Sequence, residues 1–244
     1  MSGGPYEVIG RGHAAGRHTD QRIAARIWAA LGKARSVVNI GAGSGSYEPP
    51  GRNVVAVEPS AVMRAQRPPS AAPCLAAAAE SLPFADRCFG AAMSVLSDHH
   101  WADPLAGLAE MTRVARRVVV LQFDTSDPAR FWLTRDYLPE FAHLNRGVPT
   151  LPERAAAIGA RLEVVPVPGT APTGSSTPTG AARAPTCGPR SVRPARYGRG
   201  PGPAVEQPVV RKLADDLRSG RWAERNREIT SLSQMDLGAR LLIA

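Results

Sequence analysis

Two short apolar runs with different endings constrain the fold of this chain most strongly. The first run covers residues 36–40 and is stopped by glycines at Gly41, Gly43 and Gly45. The second run covers residues 54–57 and ends at an acidic residue. Short apolar runs bounded by turn residues are typical of strands that are buried on both faces, as in a parallel sheet.

The same alternation continues along the chain and predicts an α/β fold. Further strand candidates are residues 91–96, 118–123, 162–167 and 239–244. Apolar residues at helical spacing predict three helices: one after Thr19 and Asp20, one over residues 104–114 and one over residues 209–217. Thr19 or Asp20 can cap the first of these helices. Strands that alternate with helices form a mostly parallel sheet covered on both faces.

The glycines and the acid at position 58 together indicate a nucleoside site. Glycines at the carboxyl end of a strand let the backbone approach a ligand that any Cβ would block. Such loops lie at the crevice where open α/β sheets bind ligands. Glu58, at the end of the next strand, can accept hydrogen bonds from both hydroxyls of a ribose. Glycines alone also serve ordinary tight turns, so the argument rests on the combination.

An NAD-linked oxidoreductase is the less favoured interpretation of this loop. Ser46 stands where the dinucleotide fingerprint has Gly or Ala. Pro49, Pro50 and Gly51 exclude a normal helix over residues 46–53, and that helix would seat a pyrophosphate. The loop must therefore hold its ligand through backbone amides.

These features resemble the class I S-adenosylmethionine (SAM) dependent methyltransferases, particularly the bacterial type 11 group. The resemblance covers about residues 6–168 and resumes near residue 209. It implies a Rossmann-like fold with a mostly parallel seven-stranded sheet and helices on both faces. It also implies SAM as the cofactor and a small molecule as the methyl acceptor.

The resemblance assigns the glycine loop to the amino acid end of SAM and the acid at position 58 to its ribose. Residues 79–89 are similar to the segment between the family's adenine-contacting loop and its fourth strand. The family often has an aspartate at the position of Ala78, so adenine contacts are expected from the backbone around Ala79. It commonly has an acidic residue at the position of Asn39 as well, where this chain has an amide in place of a charged anchor. The cofactor-binding residues implied are Gly41, Ala42, Gly43, Gly45, Glu58, Pro59, Ala79, Glu80, Leu96 and Arg11.

Arg11 belongs to a polar N-terminal arm with Tyr6, His13 and Arg17. In similar methyltransferases this arm folds over the cofactor, where an arginine can meet the carboxylate in a charge-assisted hydrogen bond. A solvated basic face is the alternative.

His99 and His100 are the candidate catalytic residues, because they follow the fourth predicted strand at the ligand-binding edge. Methyl transfer needs an aligned acceptor and, where the acceptor is protonated, a base. The alternative is structural: one histidine caps the turn and Trp101 packs on the next helix. The aromatic residues at 131–132 and 137–144 can likewise form an acceptor pocket wall or ordinary core.

Composition limits the partners. The net charge is +9, but five arginines between residues 183 and 199 lie in a stretch without acids, so a nucleic-acid partner is not expected. No apolar run approaches the roughly 20 residues that cross a bilayer, and no secretory signal opens the chain, which favours the cytoplasm without membrane attachment. Three cysteines without C-x-x-C spacing indicate neither a disulfide framework nor a metal site.

Residues 169–203 differ abruptly from the rest of the chain. They contain no Leu, Ile, Phe or acid and cannot bury enough apolar surface to offset chain ordering. We interpret them as a frame-shifted or otherwise corrupted segment, or else a disordered linker, between a SAM-binding core at 1–168 and a C-terminal part at 204–244 that completes the same domain. A SAM-binding relic without turnover is therefore the alternative to an active methyltransferase.

Overall fold

The computed structural model describes residues 19–139, 147–169 and 203–244. Within them, seven strands form one sheet in the order β3-β2-β1-β4-β5-β9-β6, and β7 pairs with β8 in a separate two-stranded sheet. The strands are β1 Ser36–Ile40, β2 Asn53–Val57, β3 Cys74–Leu75, β4 Ala91–Val95, β5 Val118–Phe123, β6 Arg161–Val164, β7 Val167–Pro168, β8 Gln234–Met235 and β9 Ala239–Ile243.

Eight α-helices surround these strands in the described residues. They are α1 Gln21–Ala30, α2 Ala61–Ala65, α3 Pro104–Val114, α4 Trp132–Tyr137, α5 Leu151–Ala157, α6 Pro203–Arg218, α7 Arg221–Arg225 and α8 Arg227–Thr230. Asp20 caps α1, as expected, and its carboxylate accepts from the backbone N–H groups of Arg22 and Ile23. The structure describes no helix that is long and apolar enough to span a bilayer.

The sheet confirms the predicted fold class. β1 pairs in parallel with β2 and with β4, β2 with β3, and β4 with β5. The last strand, β9, runs antiparallel to both β5 and β6 and so closes the sheet from the C-terminal part. Because these connections bring the carboxyl ends of β1, β2, β4 and β5 to one edge, the residues that directly follow β1, β2 and β4 share that edge.

Apolar residues alternate along β1 between the two faces of the sheet. Val38 and Ile40 pack in one cluster with Leu108 and Met111 of α3. Val37 packs in the other cluster, which includes Ile27 of α1. Helices therefore cover both faces, and the central strands are buried as their apolar composition predicted.

The strand predicted over residues 162–167 differs from the structure. It is divided into β6 and β7, and all four residues of β6 are exposed at the edge of the sheet. Pro166 lies between the two strands and has no N–H to give to a ladder. The helix predicted over residues 209–217 begins earlier, at Pro203, and ends at Arg218.

Candidate functional site

The glycine loop after β1 has a backbone that other residues rarely adopt. Gly41, Gly43 and Gly45 have φ angles of +65°, +52° and +96°. A Cβ at Gly41 would lie 1.6 Å from Oγ of Ser97, which belongs to the turn after β4. The loop and that turn therefore touch at a point where only glycine fits.

Glu58 lies against this loop, as the sequence predicted. Its side chain is buried, and Oε2 accepts a hydrogen bond from the Gly43 N–H at 2.9 Å. Oε1 accepts from the N–H of Ser60 at 2.9 Å. Each carboxylate oxygen can accept more than one hydrogen bond, so the carboxylate retains acceptor capacity while it holds the loop.

The residues next to Gly43 and Glu58 differ in burial. Ala42 is buried and donates its N–H to the Val57 carbonyl at 3.0 Å, which ties the loop to β2. Pro59 is exposed, and its carbonyl accepts from Arg64. No helix forms over residues 46–53, as the prolines predicted.

A buried ion pair that the sequence did not reveal supports the loop. Glu48 and Arg67 lie 2.7 Å apart, with side chains 11% and 6% exposed. Arg67 also donates to the Gly43 carbonyl at 3.1 Å. Glu48 accepts from the Ala72 N–H at 2.9 Å and from Nδ2 of Asn39 at 3.4 Å. A carboxylate from the loop thus reaches Asn39, the position at which the resemblance implies an acid in the strand itself.

The segment of residues 79–89, which precedes β4, lies beside the same edge. Ala79 is buried in the cluster that contains Val57. Oε1 of Glu80 accepts from the N–H of Asp103 at 3.1 Å, which joins this segment to the start of α3. Leu96, directly after β4, has a φ of +52°, a conformation that is strained for a bulky side chain.

His99 and His100 lie in a short 3₁₀ turn after β4. Both are half-buried, and their ring centroids are 3.7 Å apart. Trp101 packs on α3: a Cβ at Gly107 would come within 2.3 Å of its ring. The expected packing of Trp101 is therefore present, together with two histidines at the ligand-binding edge.

A buried polar network that is hard to recognise from the sequence supports this turn. Asp98 is fully buried and pairs with Arg154 of α5. Its other oxygen accepts from Gln122, which also contacts His99. Gln122 is the one polar residue in the apolar run of β5, which was the only available signal. Nothing local marks Arg154.

The aromatic residues after β5 form a helical core. Trp132 and Trp222 are buried and meet edge to face, with ring centroids 5.1 Å apart. The Tyr137 hydroxyl donates to Oδ2 of Asp216 at 2.8 Å, and burial together with that carboxylate raises the pKa of Tyr137 to about 12. Core packing therefore accounts for these described aromatics.

Two predictions concern residues outside those described. Arg11 and the rest of the N-terminal arm belong to residues 1–18, and residues 140–146 contain much of the second aromatic stretch. Within the ranges that the structure describes, no group of three or more His, Cys, Asp or Glu side chains could hold a metal ion.

Comparisons with known proteins agree with this geometry. The type 11 family model, described as a methyltransferase domain, matches residues 38–121, which include the glycine loop, Glu58 and both histidines. Over those residues the chain is similar to the class I SAM-dependent methyltransferases.

Solved structures with a similar fold are found among methyltransferases. One is named as a methyltransferase from an antibiotic biosynthesis pathway of Anabaena variabilis ATCC 29413; it is 27% identical, with a TM-score of 0.73, over 92% of this chain and 97% of its own. A SAM-dependent methyltransferase of Thermotoga maritima is 22% identical, with a TM-score of 0.48, over 60% of this chain and 74% of its own. No curated protein sequence matches this chain.

Proposed function

We propose that this methyltransferase moves the methyl group of SAM to a small-molecule acceptor at the carboxyl edge of β1, β2 and β4. The observation that carries the proposal is the contact between Glu58 and the Gly43 amide. It joins a carboxylate that is suited to a ribose to a glycine loop that is only partly buried, the pairing that a nucleoside cofactor requires.

The residues present fit SAM. The three loop glycines each have a left-handed φ angle, and at Gly41 the packed Ser97 side chain leaves no room for a Cβ. Glu58 is fixed by two amide donors and so is oriented before a ribose arrives. The cofactor contacts proposed are Gly41, Ala42, Gly43, Gly45, Glu58, Pro59, Ala79, Glu80 and Leu96, with Arg11 of the N-terminal arm.

Bound SAM would supply an electrophilic methyl group, and the protein has to align the acceptor with it. The half-buried pair His99 and His100 lies next to the turn that touches Gly41, so these side chains are the proposed partners of the acceptor. Where the acceptor atom carries a proton, a histidine there is suited to remove it near neutral pH.

A small acceptor is favoured over a macromolecular one by two observations. The basic excess that would suit a nucleic acid is concentrated in one acid-free segment. The Anabaena relative, which spans almost the whole chain, is assigned to antibiotic biosynthesis, a small-molecule pathway. We extend that acceptor class to this chain and place the reaction in the cytoplasm.

Calorimetric titration with S-adenosylhomocysteine, the demethylated product of SAM, tests the cofactor site. Glu58→Ala should weaken binding by about 1–3 kcal/mol, because buried hydroxyls and amides lose their acceptor. Glu163→Ala is the control: it removes the same charge from an exposed position of β6 and should leave affinity unchanged. Equal affinity in folded Glu58→Ala and unaltered protein would remove Glu58 from the site.

The same titration, combined with a turnover assay, distinguishes an active methyltransferase from a SAM-binding relic without turnover. An active enzyme binds S-adenosylhomocysteine and consumes SAM when the correct acceptor is present. Binding without methyl transfer to any member of a broad small-molecule panel would favour the relic. An NAD-linked activity is disfavoured by the absence of a helix over residues 46–53 and is excluded if NADH fluorescence does not change on mixing.

A further inference from the structure

A chain of buried polar groups holds the His99 ring. Asp98 is 0% exposed, Gln122 2% and Arg154 4%. Arg154 donates through Nη1 to Oδ2 of Asp98, and Nε2 of Gln122 donates to Oδ1 of the same carboxylate. The same Nε2 of Gln122 lies 2.8 Å from Nδ1 of His99.

The groups on either side fix the orientation of the Gln122 amide. Its Oε1 accepts from the Phe123 N–H at 2.8 Å, and a backbone N–H can only donate. Asp98, paired with an arginine that stays protonated, can only accept. A flipped amide would put oxygen against the carboxylate and NH₂ against the N–H of Phe123, so two repulsive contacts oppose the flip.

The direction of the next hydrogen bond follows. Gln122 has two N–H donors on Nε2, one directed to Asp98 and the other to His99. Nδ1 of His99 must therefore present a lone pair, and in the neutral ring the proton is then on Nε2. To act as a base through Nε2, the ring would need its proton on Nδ1, where it would face the N–H of Gln122.

We infer that Gln122 is a positioning residue that holds the neutral His99 ring in the Nε2–H tautomer, so that Nε2 of His99 is a hydrogen-bond donor rather than a base. The consequence for catalysis rests on the proposed methyl transfer, whereas the tautomer does not. Asp98 and Arg154 serve the same purpose one step further away, because they hold the amide that sets the tautomer.

Nuclear magnetic resonance of the full chain labelled with ¹⁵N-histidine tests the inference directly. Long-range ¹H–¹⁵N correlations distinguish the two ring nitrogens and show which one carries the proton. The signals of His99 are those that disappear in His99→Gln. We expect Nδ1 of His99 to show the shift of an unprotonated nitrogen at neutral pH and Nε2 to show that of an N–H.

Gln122→Met keeps the length of the side chain and removes both donors, so the His99 tautomers should become mixed. Gln234→Met, at an exposed position of β8, is the control and should leave the His99 pattern unchanged. A proton on Nδ1 in the unaltered protein, or averaged shifts of exchanging tautomers, would overturn the inference. An unchanged His99 pattern in folded Gln122→Met would overturn it as well.

The two proposals can fail separately. The spectrum of the unaltered protein decides the tautomer even if Gln122→Met does not fold. It is recorded without cofactor or acceptor, so a failed titration with S-adenosylhomocysteine would contradict the proposed function and leave the tautomer standing.

Discussion

At the scale of single residues, Gly41 and Gly51 illustrate two reasons for a glycine: a left-handed backbone and a lack of space for a Cβ. Their φ angles are similar, at +65° and +71°, but a Cβ at Gly51 would have no atom within 4 Å. Gly51→Ala should therefore cost only the left-handed conformation, about 1–2 kcal/mol. Gly41→Ala adds a clash with Ser97 and should lower the free energy of unfolding further, as measured from urea denaturation curves.

The double variant Gly41→Ala/Ser97→Gly tests whether the clash causes the additional loss of stability, because it removes the side chain with which the new Cβ would overlap. Its destabilisation, compared with Ser97→Gly alone, should approach that of Gly51→Ala. If Gly41→Ala and Gly51→Ala lower the free energy of unfolding equally, the left-handed conformation alone explains both glycines.

Glu48 offers a second prediction at this scale. Its loss would leave the buried guanidinium of Arg67 without its carboxylate, and breaking a buried pair typically costs about 3–5 kcal/mol. Glu48→Ala should therefore lower the urea midpoint strongly. In the control Glu163→Ala, the ion pair with Arg161 is exposed on both sides and should contribute only about 0–1 kcal/mol. Similar midpoints for the two variants would contradict a supporting role for Glu48.

The candidate residues whose positions could be located from the sequence are those that depend on local structure. Gly41 and Glu58 directly follow strands, and the strands themselves determine where these residues lie. The supporting residues depend on partners far along the chain: Arg154 reaches Asp98 across 56 positions, and Glu48 reaches Ala72 across 24. Nothing in the residues around Arg154 marks such a pairing before the fold is known.

At the scale of elements, the packing of α4 against α6 and α7 should depend on pH. Hydrogen bonds from Arg221 and Tyr137 lower the pKa of Asp216 to about 2. A lowered folded-state pKa stabilises the protein above the unfolded pKa of about 4, and this stabilisation is lost as the pH falls through the folded value. The contribution of Asp216 should therefore decline between about pH 4 and pH 2.

Urea midpoints of the unaltered protein and Asp216→Asn, compared across that range, isolate this carboxylate from the others. The difference between the two proteins should be largest above about pH 4 and should shrink towards pH 2. Fluorescence of the buried residues Trp132 and Trp222 reports unfolding of the same packed helices, because they lie in α4 and α7. A difference that does not vary with pH would assign the role of Asp216 to shape rather than charge.

The elements themselves were predicted well where the pattern is long and poorly where tertiary contacts decide. β1, β5 and α3 have the predicted bounds, because apolar runs and helical spacing mark them clearly. Short elements such as β3, with two residues, carry too little pattern to be recognised. The antiparallel edge of the sheet follows from the return of the C-terminal part to β5, which periodicity does not encode.

At the scale of the whole molecule, the C-terminal part completes a core that begins far upstream. β9 pairs along its length with β5, and α6 and α7 pack on α4 through Leu213 and Trp222. Residues 170–202, which separate these parts, lie outside the described residues. The sheet can form without them, because its strands lie on either side.

We propose that residues 169–203 are encoded out of phase. A GC-rich gene read in the wrong frame yields mainly Ala, Arg, Gly, Pro, Ser and Thr, which is the composition of this segment, whereas a selected linker need not begin and end so abruptly. Resequencing the coding DNA should find compensating one-base changes at the two edges and an apolar, helix-forming protein in another phase. A gene without either feature would establish an authentic linker. If the segment is corrupted, restoring the frame should raise methyl transfer more than affinity for S-adenosylhomocysteine, because the proposed cofactor residues lie upstream of it.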